Sequence, residues 1–154
     1  MKSRSAVLAV LWCLCAFAVT WAQDPNMGTW KLNESKSKMP AGVTKNTSVT
    51  YTADGDNIKV TTEGTAPDGS SQHTEWTGKF DGKDYPLTGD PSSDSRAYKK
   101  VNAHTLDLEN KKGGKVTTSG KIVISPDGKS RTLTLTAMAP DGKKVSGTAV
   151  YDKQ

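Results

Sequence analysis

The sequence predicts an all-β protein, an antiparallel up-and-down meander of about ten strands closed into a barrel, with a two-sheet β-sandwich as the alternative. Three observations carry that prediction. Asp-Gly occurs at Asp54, Asp68, Asp81, Asp127 and Asp141, and Gly113-Gly114 adds another glycine turn. Glycine reaches the positive φ of a tight strand reversal without steric cost. Between these turns apolar residues recur with period two, and no stretch shows a helical period. The links are short, so neighbours run antiparallel, and a meander apolar on one face hides that face by closing, which also removes its edges.

The first residues read as a leader rather than as part of the fold. Lys2 and Arg4 form a basic start, Ala6 to Val19 is almost wholly apolar, and Thr20-Trp21-Ala22 supplies small residues for a signal peptidase. The expectation is a signal peptide over residues 1–22, cleavage after Ala22, and a secreted or periplasmic single barrel domain over residues 23–154. The apolar run is shorter than the roughly 18 to 20 residues that cross a bilayer, and no later run is longer, so no stable membrane span is expected. Cys13 and Cys15 both lie in the leader, behind Trp12 and Leu14 rather than the small residue that lipid attachment needs. Disulfides and thiol chemistry are therefore excluded for the exported chain. Loss of Lys2 and Arg4 lowers the net charge of +5 to about +3, too balanced for nucleic acid.

The strands follow in order. One over residues 28–33 opens with Gly28 and Trp30. The next, 45–53, sets Val49 and Tyr51 on one face, and 57–65 does the same with Ile58 and Val60. Residues 72–80 pair Trp76 with Phe80, and shorter strands are expected at 84–88 and 95–101. Leu106 and Leu108 share a face in 104–110, as do Val116, Ile122 and Ile124 in 115–125. In 130–138, Leu133 and Leu135 oppose Thr132, Thr134 and Thr136, a β-branched set suited to a half-wet surface. A strand over 143–152 ends the meander. Three of its turns read Pro-Asp-Gly, from Pro67, Pro126 and Pro140, where proline presets the first corner.

Gly28-Thr29-Trp30-Lys31-Leu32 resembles the first strand of the lipocalin and fatty-acid-binding-protein (calycin) barrels, whose Gly-x-Trp start sets the indole against the closed end. Gly147-Thr148-Ala149-Val150-Tyr151-Asp152-Lys153 is similar to the last strand of the fatty-acid-binding group, approximately Cys-Thr-Arg-x-Tyr-Glu-Lys. The resemblance implies a lipocalin-like barrel that binds a small apolar ligand, with Tyr151 in the place of that family's tyrosine. Two features depart from it. Its carboxylate-holding arginine falls on Ala149, and the dozen or so residues between the first two strands, Pro40 and Gly42 among them, leave no room for its helical lid. The stretch from Trp30 to Lys38 also resembles, more closely, the opening of small and mostly uncharacterised secreted proteins of soil bacteria, which brings no activity with it.

Catalytic chemistry is not expected. Only His73 and His104 offer an imidazole base. His73 has the parity opposite to Trp76 and faces out beside Glu75, while His104 opens its strand at a turn. Two isolated histidines without cysteine make no zinc site, the aspartates sit in turns, and no glycine-rich loop opens a helix. No enzyme activity, metal or cofactor is expected. The residues expected to line a pocket are Trp30, Tyr51, Trp76, Tyr85 and Tyr151. Arg131 has the parity of Leu133 and Leu135, which aims it inward as a substitute anchor, unless it snorkels to water beside the Asp127-Gly128 turn. The alternative function is a structural or interaction protein of the cell envelope, in which the same aromatics simply fill a solid core.

Overall fold

The computed structural model describes residues 24–154; the predicted signal peptide lies outside them. Ten strands appear: β1 (Gly28–Leu32), β2 (Lys45–Asp54), β3 (Asn57–Thr65), β4 (Ser71–Gly78), β5 (Tyr85–Thr88), β6 (Ser95–Asn102), β7 (Thr105–Lys112), β8 (Lys115–Ile124), β9 (Ser130–Met138) and β10 (Lys144–Lys153). Each pairs antiparallel with its neighbour in sequence, and β1 also pairs with β10, so the sheet closes on itself. The sandwich alternative is thereby set aside. Closure is sealed at Trp30↔Lys153 and Leu32↔Tyr151, so the two end motifs lie side by side. One turn of 3-10 helix, Glu34–Lys36, interrupts the link from β1 to β2.

Alternation puts a single apolar face inside. Trp30, Val60, Trp76 and Leu106 are essentially inaccessible, with Tyr51, Tyr98, Ile122, Ile124, Leu133, Leu135 and Tyr151 around them. The hairpin glycines do what the sequence requires of them; Gly128, for example, has φ of 71° between β8 and β9. At Gly147 the need is space. The link after the 3-10 turn crosses β10 there, with Lys38 and Thr148 exchanging backbone hydrogen bonds of 2.7 and 2.9 Å, and a Cβ on Gly147 would stand 2.5 Å from Pro40.

Two details depart from the sequence reading. Strand β4 stops at Gly78 rather than residue 80, yet the Phe80 ring still stacks on Trp76 at 6.4 Å. Val116, expected inside with Ile122 and Ile124, is 47% exposed. The β7–β8 register shifts there: Asn110 faces Thr118, but the next residue, Lys111, faces Val116. The extra residue, Thr117, is a β-bulge that reverses which face its neighbours present.

The connections sort onto two ends of the barrel. Links β2–β3, β4–β5, β6–β7 and β8–β9 lie at one end, and links β1–β2, β3–β4, β5–β6, β7–β8 and β9–β10 at the other. Asp24–Met27 plugs the first end. Asn26 is fully buried and its carbonyl accepts a 2.8 Å hydrogen bond from the Trp30 indole N–H. Lys100 pairs with Asp24, and Lys153 Nζ donates to the Pro25 carbonyl at 3.1 Å.

Candidate functional site

The second end is open. A cavity of about 420 Å³ enters the barrel there. Its rim carries Val43, Pro67, Met138 and Pro140, its walls Leu108, Leu133, Leu135 and Ala137 with Gln72, Thr74 and Thr118 among them, and Arg96 is the one basic side chain among the described residues that line it. Each wall residue is where strand parity puts it: Leu133, Leu135 and Ala137 alternate along β9, and Gln72 and Thr74 precede Trp76 on β4. Its one acid, Asp90, is a half-buried loop residue whose carboxylate is occupied by the Ser92 N–H and hydroxyl at 2.8 and 2.6 Å.

None of the six residues singled out from the sequence lines this cavity. They fill the barrel below it. Trp76 donates its indole N–H to the Arg96 carbonyl at 2.9 Å and meets Tyr98 edge to face at 4.9 Å. Tyr85 is only half-buried: its ring lies edge-on to Trp76, over Gly78, where a Cβ would stand 2.5 Å away, and its hydroxyl donates to Asp81 at 2.9 Å. Tyr151 donates from its hydroxyl to the carbonyl of Asn46, which does line the cavity, at 3.1 Å.

Arg131 points inward, 3% exposed. Of the two orientations open to it, parity with Leu133 prevails because β9 is regular from Ser130 and pairs Arg131 with Tyr151 on one side and Ile124 on the other. Its guanidinium lies 5.0 Å from the Trp30 ring, 5.0 Å from Tyr51 and 4.9 Å from Tyr151. Facing π-systems attract a cation, the more so away from water. Its Nε and Nη1 nevertheless have no hydrogen-bond partner among the described residues.

Arg96, which the sequence reading passed over, is 6% exposed. Its parity with Tyr98 was the available signal, obscured because Ala97 between them is buried as well. Nε donates to Asn110 Oδ1 at 2.8 Å, and Nη1 to the Tyr98 hydroxyl at 3.4 Å. The Tyr51 hydroxyl in turn donates to Tyr98 at 3.5 Å, and Tyr51 carries Arg131 on its ring. A chain of two arginines and two tyrosines thus runs from the cavity into the aromatic half. No acid balances it, since no Asp or Glu is buried among the described residues. The phenols do not balance it either: burial holds Tyr98 well above the usual phenol range despite the nearby arginines, and pushes Tyr151 up to about 12. Both stay neutral near pH 7.

The remaining candidates stay on the outside. His73 is exposed between Glu63 and Glu75, and the bond to Glu63, then the one to Glu75, raises it above the usual imidazole value despite some desolvation. His104 lies half-buried at the β6–β7 turn. Among the described residues no group of three or more His, Cys, Asp or Glu side chains converges on a metal-sized site, and no helix is long and apolar enough to cross a membrane.

No family model and no curated protein matches the chain. Similar solved structures include a redesigned β-barrel, mFAP1, bound to DFHBI, at 16% identity and a TM-score of 0.45 over 84% of this chain and 95% of that one. Lobster apocrustacyanin A1 is similar at 15% identity and a TM-score of 0.44, over 86% of this chain and 63% of that one. At such scores the ligands of neither protein bear on this chain, and the likeness to soil-bacterial proteins rests on its opening stretch alone. The closed, ten-stranded, up-and-down course itself makes the fold calycin-like, as the two end motifs implied.

Proposed function

We propose that this protein is an exported, non-enzymatic barrel that binds a small ligand with an apolar body in its open end. The observation that supports this reading is the cavity of about 420 Å³, walled by leucines and entered past an apolar rim, in a barrel whose other half is packed. That volume falls within the usual range of small-molecule sites, roughly 300–1,000 Å³. The order of charge, apolar run and small residues in the leader supports export, and mass spectrometry of the exported protein should find Gln23 as its first residue. A chain retaining Met1 would overturn that part.

Titration with an uncharged, environment-sensitive apolar dye tests binding. Saturable one-to-one binding is expected, and Leu135→Trp, which directs a larger ring into the cavity, should abolish it while the melting temperature stays near that of the parent. If no dye binds saturably, the envelope interaction protein becomes the better reading.

A further inference from the structure

We propose that the open end is a self-complementary interface on which a second copy of this chain docks, mouth to mouth, about a two-fold axis lying in the plane of the mouth. This goes beyond the binding reading and stands whether or not the cavity is filled. Five links ring the mouth, and contacts fix their order. The β1–β2 link lies beside the β9–β10 turn, where a Cβ on Gly42 would stand 3.4 Å from Pro140. Next come the β7–β8 turn and then the β5–β6 loop, whose Asp94 carboxylate accepts the Gly113 N–H at 2.9 Å. The β3–β4 turn follows. The Thr44 hydroxyl, donating to Gln72 at 2.9 Å, returns the ring to the first link.

The charges on these links fall into opposite pairs. Lys112 and Lys115 flank the β7–β8 turn, and the β5–β6 loop carries Asp90 and Asp94. The β9–β10 turn has Asp141, Lys143 and Lys144, a surplus of one positive charge, and the β3–β4 turn has Asp68 alone. Residues 39–44 of the fifth link carry no charge. Lys112, Lys115 and Lys144 are exposed and form no ion pair among the described residues, whereas Lys111 below them is taken by Asp84 and Glu109. A two-fold axis through the uncharged link exchanges the two members of each pair, so in an isologous dimer every basic turn faces an acidic one. Apolar residues follow the same axis. Pro140 and the exposed Met138 come against Pro67, and the two 39–44 segments meet each other with Met39, Pro40 and Val43. An anionic surface such as a bilayer matches only the basic half of the ring, so a second copy is the occupant that uses all of it. Ten strands about 4.8 Å apart and tilted by about 40° enclose an opening about 20 Å across. A contact of that size belongs with weak, transient interfaces, and its exposed charge pairs are individually weak and screened by salt.

Sedimentation equilibrium of the purified exported protein tests this. At 0.1 M salt a concentration-dependent equilibrium of monomer and dimer is expected. At 1 M salt the screening length falls from about 10 Å to about 3 Å, and the dissociation constant should rise roughly tenfold or more, the combined effect of several exposed pairs. Lys143→Glu with Lys144→Glu should leave a monomer, as should Asp68→Lys, since each sets like charges against each other across the axis. Mixed in equal amounts, the two variants should dimerise again, because every facing pair in the mixed dimer is opposite in sign. Lys112→Glu with Lys115→Glu repeats the reversal on the other basic turn, and it keeps the test in hand should Asp68→Lys lose its turn and fail to fold. A chain that stays monomeric at every concentration overturns the proposal. So does a dimer that survives both 1 M salt and the reversals, which would place the interface elsewhere. A monomer that instead co-sediments with phosphatidylglycerol vesicles overturns it too, and gives the basic turns to an anionic lipid surface. The dye titration reads the cavity separately, so failure of either result leaves the other standing.

Discussion

The two ends of the barrel are built from the same alternating strands and hold different interiors. At the plugged end Tyr51, Trp76, Phe80 and Tyr98 meet ring against ring, Trp30 and Tyr151 close with Tyr51 on the Arg131 guanidinium, and the Asp24–Met27 segment covers them. At the open end the inward positions hold Leu133, Leu135, Ala137, Thr74 and Gln72, which are too small to meet across the barrel. A barrel of fixed strand number has a nearly fixed bore, so side-chain volume decides whether a given layer is solid or hollow. Concentrating almost all of the aromatic volume in one half leaves the other half hollow without any change of backbone. The closed end can then carry stability while the open end is free to vary.

That division of labour is open to attack by truncation. Trp30→Ala should cost about 3–5 kcal/mol, the range for deleting a packed core aromatic, as read from urea unfolding. It also frees the Asn26 carbonyl and uncovers Arg131. Leu135→Ala, in the cavity wall, should cost about 2 kcal/mol or less, the bottom of the range for a buried leucine, because few atoms face it across the cavity. Equal losses from the two would mean that the open half is as tightly packed as the other. A smaller effect sits on the outer surface near the open end, where His73 lies between Glu63 and Glu75. Its pKa is raised in the folded state, so its contribution is fully present below the unfolded imidazole value of about 6.5 and is lost as pH rises through the folded value. A slight fall in melting temperature from pH 5.5 to pH 8.5, absent in His73→Gln, is expected. A fall that persists in the variant would place the titrating group elsewhere.

The strands were legible because turn chemistry and parity agree. Residues 57–65 and 130–138 carry the strands the alternation outlines, between glycine turns at both ends. Parity also gave the inward direction of Trp30, Tyr51, Trp76 and Tyr151. It failed at Val116, since a bulge changes direction without changing composition. The position of the cavity was harder to read. Period two says which face a side chain takes but not which layer of the barrel it occupies, so large inward rings were assigned to the pocket when their size makes them the filling. Arg96 was missed for a related reason: a cation at an inward position looks like a strand defect until the asparagine and tyrosine behind it are in place.

Both ends of the described chain leave from the plugged side. Gly28 starts β1 there, β10 runs towards it, and the Gln154 N–H bonds to the Thr29 carbonyl at 2.9 Å. A fusion partner, affinity tag or surface tether attached after Gln154 therefore stands behind the barrel, with its open end facing solution. Captured on a sensor chip by its C-terminus, the protein would present every copy in one orientation, with the entrance clear of the support.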